Sequence, residues 1–247
     1  MRKIVVTSGK GGVGKTTVTA LLGRKLSLMG YGVVLVDGDV GLNNLDVVLG
    51  VEHKVVYDIS DVIDGRCRLG QALVLDNESG VRVLPSSSRK LDIAPQTFRG
   101  IIDEMRADFV LIDCPAGIDE GFHRAVSSAD EAIIVTTPSA SAIRDADKVR
   151  SLLSSYPLGD VGLVVNRVRY DMIKKGEMLT AKEIGGLLHL GVVGVVPEDD
   201  HVTIYGQLGK VPEYAVSERC GDILAENVLR STKNAVEPYM KRRWKWR

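Results

Sequence analysis

Short apolar runs alternate with amphipathic stretches along the chain. Seven of these runs are rich in Val, Ile and Leu without strict alternation, a pattern typical of parallel strands covered by helices on both faces. These predicted strands are residues 3–8, 32–37, 81–84, 109–113, 131–136, 160–165 and 192–196. Helical patterns lie at residues 14–29, 96–107, 121–128, 139–154, 180–190 and 217–235. The order predicts an α/β fold, a doubly wound, mostly parallel sheet of about seven strands with right-handed crossovers.

The bulk composition is that of one globular domain. Hydrophobic residues make up 45% of the 247 residues and charged residues 26%, and no repeat, low-complexity stretch or linker interrupts the pattern. We therefore expect a single domain over residues 1–235, followed by a short tail at 236–247. No apolar run in the sequence is long enough to span a bilayer, so any contact with a membrane is expected to be peripheral.

Charge and cysteine content weigh against several classes of function. Lys+Arg and Asp+Glu both number 32, a balance that disfavours a protein coated in basic charge for wrapping nucleic acid. The three cysteines form no CxxC pair and the four histidines are scattered, so a His/Cys metal centre is not expected. Reduced thiols in a cytosolic protein are the simplest interpretation of the cysteines.

A phosphate-binding loop is the most specific motif. Residues 9–16, GKGGVGKT, satisfy G-x-x-x-x-G-K-[ST] directly after the first predicted strand and directly before the first predicted helix. Glycines let backbone N–H groups turn toward phosphate oxygens, and the helix N-terminus adds positive potential at the same place. Lys15 offers a cation to the terminal phosphates, and Thr16 offers a hydroxyl to Mg²⁺. The segment predicts a P-loop NTPase.

Carboxylates follow two of the predicted strands, and the carboxyl ends of parallel strands are where such sheets bind ligands. Asp113 ends the apolar run FVLID, the pattern of a Walker B acid aimed at the phosphate loop. Asp37 and Asp39 follow the second strand, and their i, i+2 spacing places both on one side of an extended segment. One of this pair can serve the hydrated metal and the other the attacking water.

The sequence resembles the MinD/ParA family of deviant Walker A ATPases over nearly its whole length. KGGVGKTT is similar to the family's phosphate loop, and GLNNLD and DCPAGI resemble its septum-site-determining members in particular. Residues 55–65, 81–88, 128–138 and 191–199 resemble the same branch. The resemblance implies ATP and Mg²⁺ as cofactors, and hydrolysis of ATP to ADP and phosphate that is slow until a protein partner stimulates it.

The resemblance also implies roles for single residues. Lys10, the signature lysine, is expected to reach the nucleotide of the partner subunit in an ATP-driven homodimer, and so to act in catalysis with Lys15 and Asp39. Asp39 is expected to orient the attacking water, and Asp37 to lie near the metal. The expected metal-binding residues are Thr16, Asp37 and Asp113. The expected nucleotide-binding residues, the last four beside the base, are Gly11, Gly12, Val13, Gly14, Lys15, Thr16, Thr17, Asn166, Arg167, Pro197 and Asp199.

Several functions of this family remain open. A septum-site-determining regulator would bind an anionic membrane as an ATP-bound dimer and recruit a division inhibitor. A DNA-partitioning ATPase would bind DNA with a steep salt dependence, but zero net charge and the septum-type segments weigh against it. A flagellar-number regulator is poorly separated from the first function by sequence. An electron-transfer ATPase needs cysteines that bridge a cluster between subunits, and Cys114 has no second cysteine at matching spacing.

The tail at 236–247, VEPYMKRRWKWR, holds both tryptophans of the chain and five basic residues. Tryptophan prefers the headgroup interface, and each basic residue near an anionic leaflet contributes about 1 kcal/mol. One such tail binds weakly, whereas two tails on one dimer act together. We therefore expect a cytoplasmic protein that binds the inner face of the cell membrane peripherally once it dimerises. The alternative is a basic terminus that only aids solubility.

Overall fold

The computed structural model describes residues 1–40, 44–87, 89, 92–200 and 216–233, with side chains in the last helix from residue 219. The expected tail at 236–247 lies outside these residues. The strands are β1 (Arg2–Thr7), β2 (Val33–Asp37), β3 (Val74–Leu75), β4 (Arg82–Leu84), β5 (Phe109–Asp113), β6 (Glu131–Thr136), β7 (Asp160–Val168) and β8 (Gly191–Pro197). The helices are α1 (Lys15–Leu28), α2 (Leu45–Leu49), α3 (Ile59–Ile63), α4 (Leu69–Ala72), α5 (Pro95–Asp103), α6 (Glu120–Ser127), α7 (Ala140–Leu153), α8 (Tyr170–Lys174), α9 (Ala181–Leu188) and α10 (Val216–Arg230), with a 3₁₀ turn at Glu52–Lys54.

The strands form one sheet in the order β3-β4-β2-β5-β1-β6-β7-β8. Every pairing is parallel except that of β3 with β4. The predicted doubly wound, mostly parallel sheet is confirmed, with eight strands instead of about seven. The additional strand, β3, has two residues and is too short to leave a pattern in the sequence.

Helices cover both faces of the sheet, which explains the non-alternating strand pattern. Every residue of β2 and β5 is buried. On one face, Leu22 and Leu26 of α1 pack in a cluster with Leu224 of α10. On the other face, Phe98 of α5 and Phe122 of α6 belong to a second cluster, together with side chains of α7 and α9. No helix in the described ranges is long and apolar enough to cross a membrane.

Local signals fix the ends of several helices. The Ser139 side chain accepts a hydrogen bond from the backbone N–H of Ala142 at the start of α7, as an N-cap does. A capping box of Thr180 and Glu183 starts α9, and His189 ends it in the left-handed region at φ 51°. Two of the predicted helices, at 96–107 and 217–235, are longer than the observed ones, since α5 ends at Asp103 and α10 at Arg230.

Candidate nucleotide and magnesium site

The phosphate loop joins the end of β1 to the start of α1. Gly12 at φ 78° and Gly14 at φ 88° lie in the left-handed region that favours glycine. A Cβ on Gly14 would lie 2.2 Å from Nδ2 of Asn166, so the loop packs tightly there. A Cβ on Gly12 would meet nothing within 4 Å, which leaves open space above the loop backbone. The loop therefore packs closely against Asn166 at Gly14 and has open space beside Gly12, where a phosphate could approach the backbone.

Asp113, the last residue of β5, contacts the end of the phosphate loop. Strand pairing of β1 with β5 places Asp113 opposite Val6, close to the start of α1. Its Oδ1 lies 3.4 Å from Nζ of Lys15, and its Oδ2 accepts a 2.6 Å hydrogen bond from the Thr16 hydroxyl. The hydroxyl of Thr19 donates to Oδ1 from the buried side over 3.2 Å. The structure thus brings together Lys15, Thr16 and Asp113 as the motif predicted.

Asp37 lies opposite Asp113 across the β2–β5 pairing. Its carboxylate is buried and accepts three backbone hydrogen bonds, from the N–H groups of Asp39, Asn44 and Leu45, over 3.0, 3.1 and 3.1 Å. Burial raises the pKa of Asp37 to about 7, and the negative charge of Asp113 is the second cause. The three backbone hydrogen bonds oppose this rise. Burial also raises the pKa of Asp113, opposed by Lys15 and by hydrogen bonds from the threonines.

These two carboxylates fit a divalent cation. Two buried acids at adjacent strand ends repel each other, and a cation between the segments that carry them would relieve both the repulsion and the burial cost. Oxygen ligands from carboxylate and hydroxyl groups are those that Mg²⁺ prefers. The donor set of Asp37, Asp113 and Thr16 therefore matches the predicted metal.

Asp39 and Lys10 are more exposed than the two buried acids. Asp39 is half-buried, and its backbone carbonyl accepts a 2.8 Å hydrogen bond from the Ser86 hydroxyl. Burial raises the pKa of Asp39, and the charge of Lys15 is the largest opposing effect. Lys10 is exposed, and within the described part of the chain its side chain forms no ion pair. The structure thus places Asp39 at the site but leaves Lys10 facing outward.

The residues expected beside the base fall into two places. Asn166 is buried, and its Nδ2 donates a 2.8 Å hydrogen bond to the carbonyl of Val13, so it braces the phosphate loop. Arg167 is exposed and lies in the left-handed region at φ 56°, a backbone strain often found at functional sites. A pocket of about 480 Å³ opens past the ends of β7 and β8, lined by Val168, Arg169, Tyr170, Asp171, Pro197, Glu198 and Asp200. Of the four expected residues, Pro197 alone lines this pocket.

Two residues of the site were missed by the sequence reasoning. Thr19 follows Thr16 by three positions on α1, a helical spacing that could have indicated a shared contact with Asp113. Arg124 of α6 is buried, and its Nη2 lies 3.4 Å from the carbonyl oxygen of Gly38. The sequence pattern that could have indicated this burial is a charged residue among Phe122 and other apolar residues on a short amphipathic helix.

The chain matches one protein family over most of its length. The family described as the CobQ/CobB/MinD/ParA nucleotide binding domain matches residues 4–212. The chain belongs to this family. Its MinD and ParA members are ATPases, so nucleotide binding and ATP hydrolysis are family properties of the fold and loop described above.

Individual relatives narrow the comparison to one branch. The septum site-determining protein MinD of Bacillus subtilis (strain 168) is 46% identical over 206 residues, which cover 81% of this chain and 77% of the relative. In the solved MinC:MinD cell division protein complex of Aquifex aeolicus, the matching chain is 36% identical with a TM-score of 0.87, covering 96% of this chain and 99% of that chain. The septum site-determining protein MinD of Pyrococcus horikoshii OT3, solved with Mg-ADP, is 32% identical with a TM-score of 0.81, covering 95% and 99%.

Proposed function

We propose that the chain is an ATP-hydrolysing regulator of division-site placement. The observation that carries the proposal is the convergence of Lys15 and Thr16 on the Asp113 carboxylate, beside Asp37 at the next strand end. The similarity to septum site-determining proteins supports the biological role. The family match over residues 4–212 includes the strand ends that carry these residues.

The chemistry of the site follows from its charges. Lys15 and the backbone N–H groups of the phosphate loop would bind the terminal phosphates of ATP, with Thr16, Asp37 and Asp113 holding Mg²⁺. A bound Mg²⁺ would neutralise the phosphate charge. Asp39 would position the attacking water at the open side of the site. Catalysis of this kind relies on positioning and charge stabilisation, so Asp39 need not act as a strong base.

The remaining site residues are assigned by position. Gly11, Gly12, Val13, Gly14 and Thr17 would contact phosphates through the loop and the first turn of α1. Asn166, Arg167, Pro197 and Asp199 would lie beside the base. Asn166 also supports the loop through its hydrogen bond to the Val13 carbonyl.

Lys10 supports a homodimer as the hydrolysing species. Its side chain is exposed and forms no ion pair with a described residue, so a second subunit could contact it. A cation supplied across a dimer would stabilise charge that develops in the transition state, so ATP binding and dimerisation would be coupled. In this proposal the ATP-bound dimer is the active form, and ATP hydrolysis ends it.

The partners we propose are a division inhibitor and an ATPase-stimulating protein. The solved Aquifex aeolicus complex of MinC with MinD is the basis for the inhibitor. We further propose that the tail at 236–247 binds an anionic membrane, so that the dimer is held peripherally at the inner face of the cell membrane. The tryptophans and basic residues of the tail support this, and zero net charge supports the absence of a specific nucleic-acid partner.

Cosedimentation with anionic liposomes tests the function. We expect the protein to sediment with liposomes in ATP and to stay in the supernatant in ADP, with no competition from plain DNA. A matched control is the chain lacking residues 239–247, which should still hydrolyse ATP but lose liposome binding. ATP-dependent retention on DNA, without liposome binding, would instead identify a partitioning ATPase.

A further inference from the structure

Arg124 is a buried cation of the site to which the chemistry proposed above gives no role. It lies on α6, is 7% exposed, and its guanidinium lies over the ring of Phe98 at 5.7 Å from the centroid. The acceptor of its Nη2 is the Gly38 carbonyl, and its buried Nε has no hydrogen-bond partner among the described residues. The contacts within the fold therefore leave this guanidinium only partly satisfied.

Arg24, the second buried arginine among the described residues, has the contacts expected of an arginine that serves stability. It is 8% exposed, its Nε donates to Asp76 over 3.2 Å, and its Nη2 donates to the Leu49 carbonyl over 3.1 Å. Arg24 thus binds a carboxylate directly, which offsets the cost of burying its charge. For Arg124, burial lowers the pKa, opposed by the charges of Asp92 and Asp119.

A buried cation with weak partners is expensive to retain for stability alone, because apolar residues of similar volume often serve a core equally well. The position of Arg124 offers a different reason. Its acceptor, Gly38, is the residue between Asp37 and Asp39, the two acids of the β2 end. An effect on this peptide is an effect on both acids.

Gly38 is already held tightly on its other side. Its N–H donates a 2.9 Å hydrogen bond to the Asp113 carbonyl, and a Cβ at this position would lie 2.7 Å from that oxygen. The N–H of Gly38 is therefore fixed by β5, and its carbonyl faces Arg124 of α6. The same carbonyl accepts a 3.2 Å hydrogen bond from the backbone N–H of Val40. These three contacts together hold the backbone where it leaves the sheet toward Asp39, and Arg124 supplies the one that a side chain makes.

We propose that Arg124 is a positioning residue for ATP hydrolysis, which holds the Gly38 carbonyl and so fixes the peptide that carries Asp39. The proposal rests on the proposed function, in which Asp39 orients the attacking water. Arg124 would not touch the nucleotide. It would act on the rate of hydrolysis through the backbone, while the phosphate loop that binds ATP stays unchanged.

The test is a comparison of Arg124→Gln and Arg124→Lys with the unmodified chain, in ATP hydrolysis and in binding of a non-hydrolysable ATP analogue. A misplaced catalytic group costs on the order of 10²-fold in rate, so Arg124→Gln should lower kcat by about 10-fold to 100-fold. The dissociation constant of the analogue should change by less than about threefold, because the phosphate loop is intact. Arg124→Lys should recover part of kcat, since it restores a cationic donor near Gly38.

Arg24→Gln is the matched control, since it removes an equally buried arginine on the opposite face of the sheet. It should lower the unfolding free energy without the selective loss of kcat. The proposal is overturned if folded Arg124→Gln keeps kcat within about twofold. It is also overturned if Arg124→Gln and Arg24→Gln both lose kcat and analogue affinity in proportion to their loss of stability.

Asp39→Ala separates this proposal from the proposed function. Loss of hydrolysis in Asp39→Ala together with normal kcat in Arg124→Gln overturns the role of Arg124 alone. Normal hydrolysis in Asp39→Ala overturns the role of Asp39, and the proposal for Arg124 falls with it.

Discussion

The hydroxyl of Thr16 donates a 2.6 Å hydrogen bond to Oδ2 of Asp113, and so joins the start of α1 to the end of β5. A hydroxyl and a carboxylate at this distance can share one cation, whereas the hydroxyl of Thr19 approaches Oδ1 of the same carboxylate from the buried interior. The two threonines therefore make similar bonds to Asp113 but face different surroundings.

Thr16→Val should reduce the gain in nucleotide affinity that Mg²⁺ provides by about 10-fold or more, because valine has no hydroxyl to bind the cation. Valine has nearly the same shape as threonine, so the substitution changes little else. Affinity measured in EDTA should change little. The check is calorimetric titration of ADP with and without Mg²⁺. Thr19→Val is the control, since it should cost stability while the effect of Mg²⁺ persists. An unchanged effect of Mg²⁺ in Thr16→Val would argue against Thr16 as a ligand.

Asp37→Asn should change the pH dependence of stability in the absence of metal and nucleotide. The pKa of Asp37 is about 7 in the folded protein, against an ordinary value of about 4, so the folded state binds this proton more tightly than the unfolded state. Its contribution to stability is present at low pH and is lost as pH rises toward 7. Asp37→Asn cannot ionise and escapes this loss.

The unfolding free energy of Asp37→Asn relative to the unmodified chain should therefore rise between about pH 4 and pH 7 and level off above pH 7, by about 1.4 kcal/mol for each pKa unit involved. Urea unfolding in EDTA at several pH values measures it. Saturating Mg-ADP should reverse the order, because the unmodified carboxylate gains a cation. A relative stability that stays flat or falls with pH would show that burial does not raise this pKa.

Gly14→Ala should destabilise the nucleotide-free protein more than Gly12→Ala does. Both positions have positive φ, a strain of about 1 kcal/mol for alanine, but only at Gly14 would the new Cβ meet a side chain, Nδ2 of Asn166, at 2.2 Å. Asn166 would have to move and would lose its bond to Val13. Urea unfolding of the two variants checks the order, and equal losses would mean that backbone strain alone decides it.

Lys10→Ala should bind ATP as a monomer and hydrolyse it slowly, with a loss on the order of 10³-fold in stimulated rate, because a cation supplied across the dimer would be absent. Light scattering in ATP measures the mass. Lys182→Ala is a suitable control, since Lys182 is also an exposed lysine and lies on α9. An intact ATP-dependent dimer of Lys10→Ala would remove this lysine from the interface.

Much of the fold could be read from the sequence because buried parallel strands are uniformly apolar. The run FVLID predicted β5 with both of its ends, and the same run placed Asp113 at the site. The short helices α2, α3, α4 and α8 have four or five residues and hold too few turns for a periodic pattern.

Contacts between distant segments account for what the sequence did not indicate. Arg124 reaches Gly38 across 86 positions of the chain, and no local pattern records such a pairing. Asn166 was expected beside the base, but its contact with Val13 depends on how β7 packs next to the phosphate loop. Residues in motifs could be predicted, whereas residues that support motifs from other elements could not.

In the proposed function, the phosphate loop binds Mg-ATP through Lys15, beside the acids at the strand ends. The direct test is calorimetric titration of a non-hydrolysable ATP analogue into Lys15→Ala and into Lys25→Ala, a matched variant of an equally buried lysine on the same helix that pairs with Asp222 over 2.9 Å. Affinity should fall by about 100-fold or more in Lys15→Ala, since a charge-assisted contact to phosphate is lost, and stay close to normal in Lys25→Ala. Near-normal affinity in folded Lys15→Ala would show that the phosphate loop does not bind ATP through this lysine.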